Sequence, residues 1–269
     1  MKFDEIGYWS KIKLDIIREY ASAYSKILSA QTNPSFYHIY IDAFAGAGMH
    51  KLKITGDFVP GSPLNALNVV PPFREYHLID LKSDKVKSLK EIIGDRPGVY
   101  IYNGDCNDIL LKEVFPKVLF KDYRRALCLL DPYGLHLNWE VIKTAAEMRT
   151  IDIVLNFPVA DMNRNVLWRN AEGVDPADID RMNSFWGDES WREIAYSTTG
   201  NLFGFPEKEN NEKVAEGFRQ RLIQGAGFKQ VPKPLPMKNS KNAVVYYLFF
   251  ASQNLVAKDI IKQIFAKYK

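Results

Sequence analysis

The sequence predicts an α/β domain: a doubly wound, mostly parallel seven-stranded sheet carrying a helical insertion. Three observations predict it. Between residues 37 and 158, short β-branched or apolar runs alternate with helix-period patterns, strand then helix, four or five times over. The first run lies in residues 37–48, YHIYIDAFAGAG, where Ile39 to Ile41 lead into Asp42 and then a turn of small residues containing Gly46 and Gly48. Closely spaced glycines let the backbone turn sharply and approach a ligand with no Cβ in the way. After a first strand, such a turn is where an open α/β sheet takes the nucleotide part of a cofactor. Late in the chain, a second kind of strand pair, joined by a loop, places one antiparallel member in the sheet.

Length and composition fit that class. The 269 residues suit one α/β sheet with an insertion, so 1–269 reads as a single domain, with 1–33 an N-terminal helical extension and 159–212 a helical insertion or lid. Hydrophobic residues at 46% and charged residues at 25% supply a sizeable core, and a formal charge of +4 permits an anionic partner without demanding one. Cys106 and Cys128 have no CxxC or His-paired spacing, which argues against a disulfide framework and a structural zinc site; no metal is expected. The first residues, MKFDEIGYWSKIK, lack the apolar stretch of a leader, and no apolar run is long enough to span a bilayer. The expectation is a soluble, cytoplasmic protein without a membrane partner.

Taken in order, residues 10–30 read as an amphipathic helix, with Ile12, Ile16, Ile17, Tyr20, Ala23, Tyr24, Ile27 and Leu28 at spacings of three and four. Ser10 suits its N-cap, Tyr8 and Trp9 before it read as a packing staple with a ligand contact as the alternative, and Asn33-Pro34 stops it. Residues 50–60, with Lys51, Lys53 and a Gly56-Asp57 turn, read as a hairpin or flap over the cofactor cleft, or as a plain surface excursion. Ser62 as N-cap and Pro63 at the first helical position open the next helix. Residues 74–80 form the second strand, ending in Asp80, which is placed to accept from both hydroxyls of a ribose. Its distance from Gly48 exceeds the usual spacing of about 20 residues, and the flap accounts for the excess. A helix follows at 83–93 and a third strand at 99–102, then Asn103-Gly104-Asp105-Cys106, with Asp105 set to accept from an exocyclic amine such as that of adenine. Singly, Asp80 and Asp105 also suit caps or turns; their placement after consecutive strands favours a site.

Residues 108–119 read as helix and 126–130, ALCLL, as the fourth strand, which runs into Asp131-Pro132-Tyr133-Gly134. The proline stiffens the turn, the carboxylate can accept from an amine, and the ring can stack on a planar base; the tetrad is equally a good β-turn. A helix at 137–148 and a fifth strand at 150–157 follow, the strand ending at Asn156-Phe157-Pro158. In 159–212, Asn163, Arg164, Asn165, Arg169 and an acidic stretch at 175–180 accompany Trp168, Phe185, Trp186, Trp191, Phe203 and Phe205. These aromatics read as the insertion's own small core, with base stacking as the alternative. The chain closes with a helix at 212–225, a strand at 227–231, a loop at 232–242, a strand at 243–252 and a helix at 256–268. The loop's Lys233, Lys238 and Lys241 are either solvated or facing phosphate.

The segments YWSKIKLDIIREYASAYSKIL, YIDAFAGAG, GSPLNAL, GDCNDIL, LLDPYG and YYLFFASQNLVAKDIIKQI span both ends of the chain. Their order resembles a class I S-adenosylmethionine-dependent methyltransferase and, more narrowly, the three-Cys-motif partner (TcmP) family. The resemblance implies a Rossmann-like methyltransferase fold, S-adenosyl-L-methionine as cofactor, and a partner protein bearing a three-cysteine motif. The DPYG tetrad also resembles that of tRNA guanine-N2 dimethyltransferases. It is a variant of the DPPY motif of amino-methylating enzymes, with the aromatic moved one place forward and glycine in the last position. The expected site then has Asp42, Phe44, Gly46, Gly48, Asp80, Asp105 and Cys106 around the cofactor, and Asp131, Pro132 and Tyr133 at the reacting amine. Lys51, Lys53, Asn156, Lys238 and Lys241 are assigned to a nucleic-acid substrate. The function expected is N-methylation of a nucleobase amine in RNA or DNA; the alternative is a binding module that keeps the fold and acts with its partner without methyl transfer. A dinucleotide oxidoreductase is disfavoured because Lys51 stands where GxGxxG has its third glycine, and a nuclease because the acids fall at separate strand ends. A covalent cysteine route is disfavoured because Cys128 is mid-strand and Cys106 lacks a preceding proline.

Overall fold

Seven apolar runs pair edge to edge in the computed structural model, which describes residues 3–32, 34–168, 173–197 and 207–269. The strands are β1 (Tyr37–Asp42), β2 (Glu75–Asp80), β3 (Val99–Asn103), β4 (Arg124–Leu130), β5 (Ile151–Phe157), β6 (Leu235–Lys238) and β7 (Val244–Ala251). Their order across the sheet is β3-β2-β1-β4-β5-β7-β6. The first five run parallel, and β7 lies antiparallel to both β5 and β6. This is the Rossmann-like sheet of class I methyltransferases, with strand order reversing between β1 and β4, the switch point where open α/β sheets hold ligands.

Side chains alternate across the sheet, as the two-residue strand period requires. Ile39, Ile41, Cys128, Leu130, Ile153, Leu155 and Phe249 enter one core; Tyr40, Leu78, Leu127, Leu129, Val154 and Phe250 enter the other. The second core is covered by α1 (Tyr8–Ser29), α2 (Ser62–Leu67), α3 (Ser83–Ile93) and, from the far end of the chain, the helix Leu255–Ala266. The first is covered by α4 (Cys106–Ile109), α5 (Trp139–Met148), α6 (Val159–Asn165), α7 (Pro176–Trp186), α8 (Trp191–Ala195) and α9 (Asn211–Gln224), with Leu255–Ala266 as α10. No helix among the described residues is long and apolar enough to cross a membrane.

Several local expectations shift. Helix α1 begins at Tyr8 with Gly7 as N-cap, two residues before Ser10, and Ser62 falls inside α2 behind the N-cap Gly61. The 50–60 excursion is a hairpin, Met49–Leu52 against Phe58–Pro60, and Asp4–Ile6 adds a third strand parallel to its first. The last strand pair is β6 and β7, not 227–231 and its successor; Gln230 makes only an isolated bridge with Ser252. Strand β6 lies inside the stretch 232–242 that reads as a loop in the sequence. An edge strand tolerates proline, and β6 buries Leu235 and Met237 while Pro236 and Lys238 face out. The acidic stretch at 175–180 is a helix start, with Asp175 accepting from the Ala177 N–H at 2.8 Å and Pro176 in the first turn.

Among the described residues, the insertion's aromatics form no separate core. Phe185, Trp186 and Trp191 are buried in the same cluster as Phe157 of β5, Phe249 of β7 and Phe218 of α9. Phe218 sits among them, its ring 4.7 Å from Phe157, 5.3 Å from Trp186 and 5.5 Å from Phe185 and Phe249 between centroids. Asn33, Arg169, Phe203 and Phe205 lie outside the described residues.

Candidate active site

The turn after β1 is built by hydrogen bonds from its own backbone. Gly46 and Gly48 have φ of +64° and +87°, the left-handed region open to glycine, and a Cβ on Gly48 would lie 2.9 Å from Leu89 Cδ1. The Gly46 N–H donates to Asp80 Oδ2 at 2.9 Å and the Lys82 N–H to Asp80 Oδ1 at 2.8 Å, so one carboxylate ties the turn to the end of β2. Beneath the turn, Asp42 accepts from the Phe44 N–H at 3.2 Å and the Tyr40 hydroxyl at 3.4 Å. Burial pushes the Asp42 carboxyl up to about 7, with Asp131 and Asp80 adding like-charge repulsion against the hydrogen bonds of Ser62 and Phe44.

Two cavities open along this rim. The larger, about 710 Å³, runs from Asp80 past Asp105 and Cys106, with Phe44, Leu135, His136 and Asn138 on its walls and Asp180, Arg181 and Ser184 of α7 closing the far side. Its volume falls within the range of about 300–1,000 Å³ usual for small-molecule sites. Asp105 caps α4, accepting from the Asn107 N–H at 2.7 Å. Cys106 is buried, and burial pushes its thiol up to about 12, away from the reactive thiolate. A sulfonium nucleoside fits the groups present. Each Asp80 oxygen keeps a lone pair beyond its backbone N–H for a ribose diol, and the glycine turn brings bare backbone to the same rim.

The smaller cavity, about 270 Å³, is lined by Gly46, Asp131, Pro132, Asn156, Lys13 and His50 among others, with Asp161 and Arg164 of α6 on its wall. Phe44 and Tyr133 line both cavities and so stand where the two meet. Lys13, on the buried face of α1, pairs with Asp131 Oδ2, and its ammonium lies 5.3 Å from the Tyr246 ring centroid. His50 stays neutral: burial, then the nearby Lys13 charge, lower its pKa. Tyr133 is held from outside the sheet. Its hydroxyl donates to Asp4 Oδ2 at 2.8 Å, and the Lys85 ammonium lies 2.5 Å from the same oxygen and 5.0 Å from the Tyr133 ring centroid. Burial would raise the Asp4 carboxyl, but the hydrogen bonds from Lys85 and Tyr133 outweigh it and hold the group below its usual range.

The four carboxylates read from the sequence therefore lie at one edge: Asp42 and Asp80 end β1 and β2, and Asp105 and Asp131 follow β3 and β4. Asp80, Asp105, Cys106 and Phe44 line the larger cavity, and Asp131, Pro132, Asn156, Gly46 and Phe44 the smaller, with Tyr133 on both. Asp42 and Gly48 support the turn from below and line neither. Lys51 and Lys53 lie on and just past the hairpin strand, Lys51 being 3.9 Å from Glu5, and line neither cavity. Lys238 lines a separate cleft with Glu212 and Arg219, and Lys241 sits in the β6–β7 turn. Sequence reading picks out none of Lys13, His50, Arg181 and Ser184 as site residues, and it places Arg164 and Asp180 only among the polar positions of 159–212. Only Lys13 left a signal in the sequence, as a cation one helical turn before Ile16 and Ile17 on an apolar stripe.

No protein-family model and no curated sequence relative matches the chain. Among solved structures, it is similar to a Legionella pneumophila str. Philadelphia 1 protein of the DUF519 family, at 13% identity and a TM-score of 0.55, covering 95% of this chain and 91% of that one. The methyltransferase domain of bacterial CtHen1-CN matches at 9% identity and a TM-score of 0.42, over 88% of this chain and 99% of that one. A DUF574 family protein from Streptomyces avermitilis matches at 10% identity and 0.43, over 89% and 83%. At that identity, the Legionella likeness speaks for the fold, and it holds over nearly the full length of both chains.

Proposed function

We propose that this chain is an S-adenosylmethionine-dependent methyltransferase that methylates an exocyclic amine of a nucleobase in RNA or DNA. The observation that carries the reading is the junction of the two cavities at Phe44 and Tyr133, one sized for a nucleoside and the other walled by the Asp131 carboxylate. Asp80 would hold the ribose diol, Asp105 the adenine amine, and the backbone at Gly46 the amino-acid end, with Gly48 supporting that turn from below. The bound cofactor supplies a methyl group on a sulfonium, already a strong electrophile. What remains for the protein is to orient the nucleophile and exclude water.

The acceptor side does this with few groups. Lys13 occupies Asp131 Oδ2 and neutralises the charge, and among the described residues no protein donor takes Oδ1, which is free to accept an amine N–H. Phe44 and Tyr133 offer flat faces to a base, and Arg164 adds positive charge suited to a phosphate. A base paired in a duplex would have to be flipped out to enter. The TcmP resemblance adds a three-cysteine-motif protein as the partner that would deliver or select the substrate.

Calorimetry with S-adenosylmethionine and incubation of the labelled cofactor with total RNA and DNA test the proposal together. Binding, with label entering nucleic acid and falling about 100-fold or more in Asp131→Ala, is the expected outcome. Absence of binding would leave only a module that keeps the fold, and undiminished label in the variant would remove Asp131 from the chemistry.

A further inference from the structure

Tyr133 stands at the junction of the two cavities with 72% of its surface exposed. A ring so open has little packing to choose among its rotamers, and polar contacts fix it instead. Its hydroxyl donates to Asp4 Oδ2 at 2.8 Å, and the same oxygen accepts from the Lys85 ammonium at 2.5 Å. That ammonium, on a side chain 9% exposed, lies over the ring 5.0 Å from its centroid. The ring is held at its tip and on one face, and its exposed surface is left for a flat ligand.

Asp4 stands 129 residues before Tyr133 in the chain and reaches it from a separate small sheet. It opens the short strand Asp4–Ile6, which pairs with Met49–Leu52 in the register Asp4 to His50, Glu5 to Lys51 and Ile6 to Leu52. The Lys53 N–H donates to the Ile6 carbonyl at 3.0 Å, and the Phe3 ring meets Phe58 of the hairpin's second strand edge-on at 5.5 Å. The strand is therefore fastened to the hairpin along its whole length, and Asp4 has a fixed place from which to hold the ring.

We propose that Asp4 is a positioning residue: the first strand and the hairpin that carries it hold the Tyr133 ring as a stacking platform for the substrate base. The proposal rests on the methyltransferase reading above and gives the hairpin, whose Lys51 and Lys53 line neither cavity, its part in that reaction. A ring held in place before the substrate arrives loses no rotamer freedom when a base stacks on it. A ring released from Asp4 loses that freedom at each binding event, which costs about 2- to 10-fold in affinity for one side chain. The loss belongs to binding, so it falls on KM for the nucleic acid more than on kcat.

The test measures methylation by the full chain with labelled S-adenosylmethionine at saturation, so that cofactor affinity does not enter. The varied substrate is whichever of total RNA and total DNA takes label. Asp4→Ala is expected to raise KM about 2- to 10-fold, and Tyr133→Phe, which removes only the hydroxyl, to raise it by a similar factor. The double variant should be no worse than Asp4→Ala alone, because both substitutions cut the same contact. Asp4→Asn should restore the parent's KM: a single oxygen takes both donors, and an asparagine oxygen can stand in its place. If Asp4→Ala does not fold because Lys85 is left charged without its acid, Asp4→Ala combined with Lys85→Met takes its place in the same cycle. An unchanged KM in Asp4→Ala overturns the role of Asp4 and leaves the methyltransferase reading intact. So do factors that multiply in the double variant, the result a purely structural Asp4 would give. No label in either nucleic acid with the unaltered protein overturns that reading, and this inference with it.

Discussion

Asp42 has no exposed surface, and its carboxyl titrates near 7 instead of near 3.8 because burial disfavours its charge, with Asp131 and Asp80 adding to the effect. An acid raised in this way binds its proton more tightly in the folded chain than in the unfolded one. Its contribution to stability is therefore full below the unfolded value, falls as pH rises from about 4 to about 7, and is flat above. Asp152, raised to about 6 by burial, adds the same sign over a similar window. Asp42 and Asp152 therefore pull urea midpoints down between pH 5 and pH 7, against the opposite pull of His38 and His50, whose pKa values burial lowers. Asp42→Asn should remove its share and make the pH 5 to pH 7 change less negative than the parent's. A variant with the parent's slope would show that Asp42 does not hold the proton. Asp80 tests the other function of the rim. Because its two oxygens already accept from Gly46 and Lys82, Asp80→Ala removes the anchor of the turn together with the diol acceptor proposed above. S-adenosylmethionine affinity is expected to drop about 10- to 100-fold by calorimetry.

At the scale of elements, α1 links the fold to the site. Ile16, Ile17 and Tyr20 of its stripe were legible from helix period, whereas the buried face turns toward Leu14 and Ala21, which were not read, and leaves Ile27 exposed. Lys13 on that face was not read, because its partner Asp131 stands 118 residues away and only the assembled sheet brings them together. The rim carboxylates were legible for the opposite reason: each follows its own strand, so strand order alone gathers them. The α7 residues at the far wall of the larger cavity were not, since the packing of Phe185 and Trp186 decides where that helix lies. The Lys13–Asp131 pair, with side chains 11% and 23% exposed, is partly buried, so losing one partner costs more than losing a surface bridge. Lys13→Ala should cost about 1–3 kcal/mol in denaturant unfolding. The double variant with Asp131→Ala should cost less than the sum of the singles, since neither charge is then stranded. Additive costs would mean that the pair contributes no coupling.

Across the whole molecule, the segment 159–212 reads in the sequence as a helical insertion or lid with its own small aromatic core. Its described helices instead place Phe185, Trp186 and Trp191 into the core that β5, β7 and α9 already share. A unit that buries its largest side chains in a common core has no apolar interior of its own to fold around, so it unfolds with the rest. One calorimetric transition is expected, coincident by far- and near-ultraviolet circular dichroism. Phe218 is the sharpest probe, because its ring touches Phe157 of the sheet and Phe185 and Trp186 of the insertion together. Phe218→Ala should destabilise the protein by about 3–5 kcal/mol, lowering the midpoint of that one transition by about 10 °C. If the insertion were independent, the same substitution would split the transition in two, with the sheet melting near the parent's temperature and the insertion below it. That split would also predict a cofactor cavity that loses its Asp180 and Arg181 wall first, with S-adenosylmethionine binding lost before the sheet unfolds. A single transition ties the far wall of the cavity to the stability of the whole core.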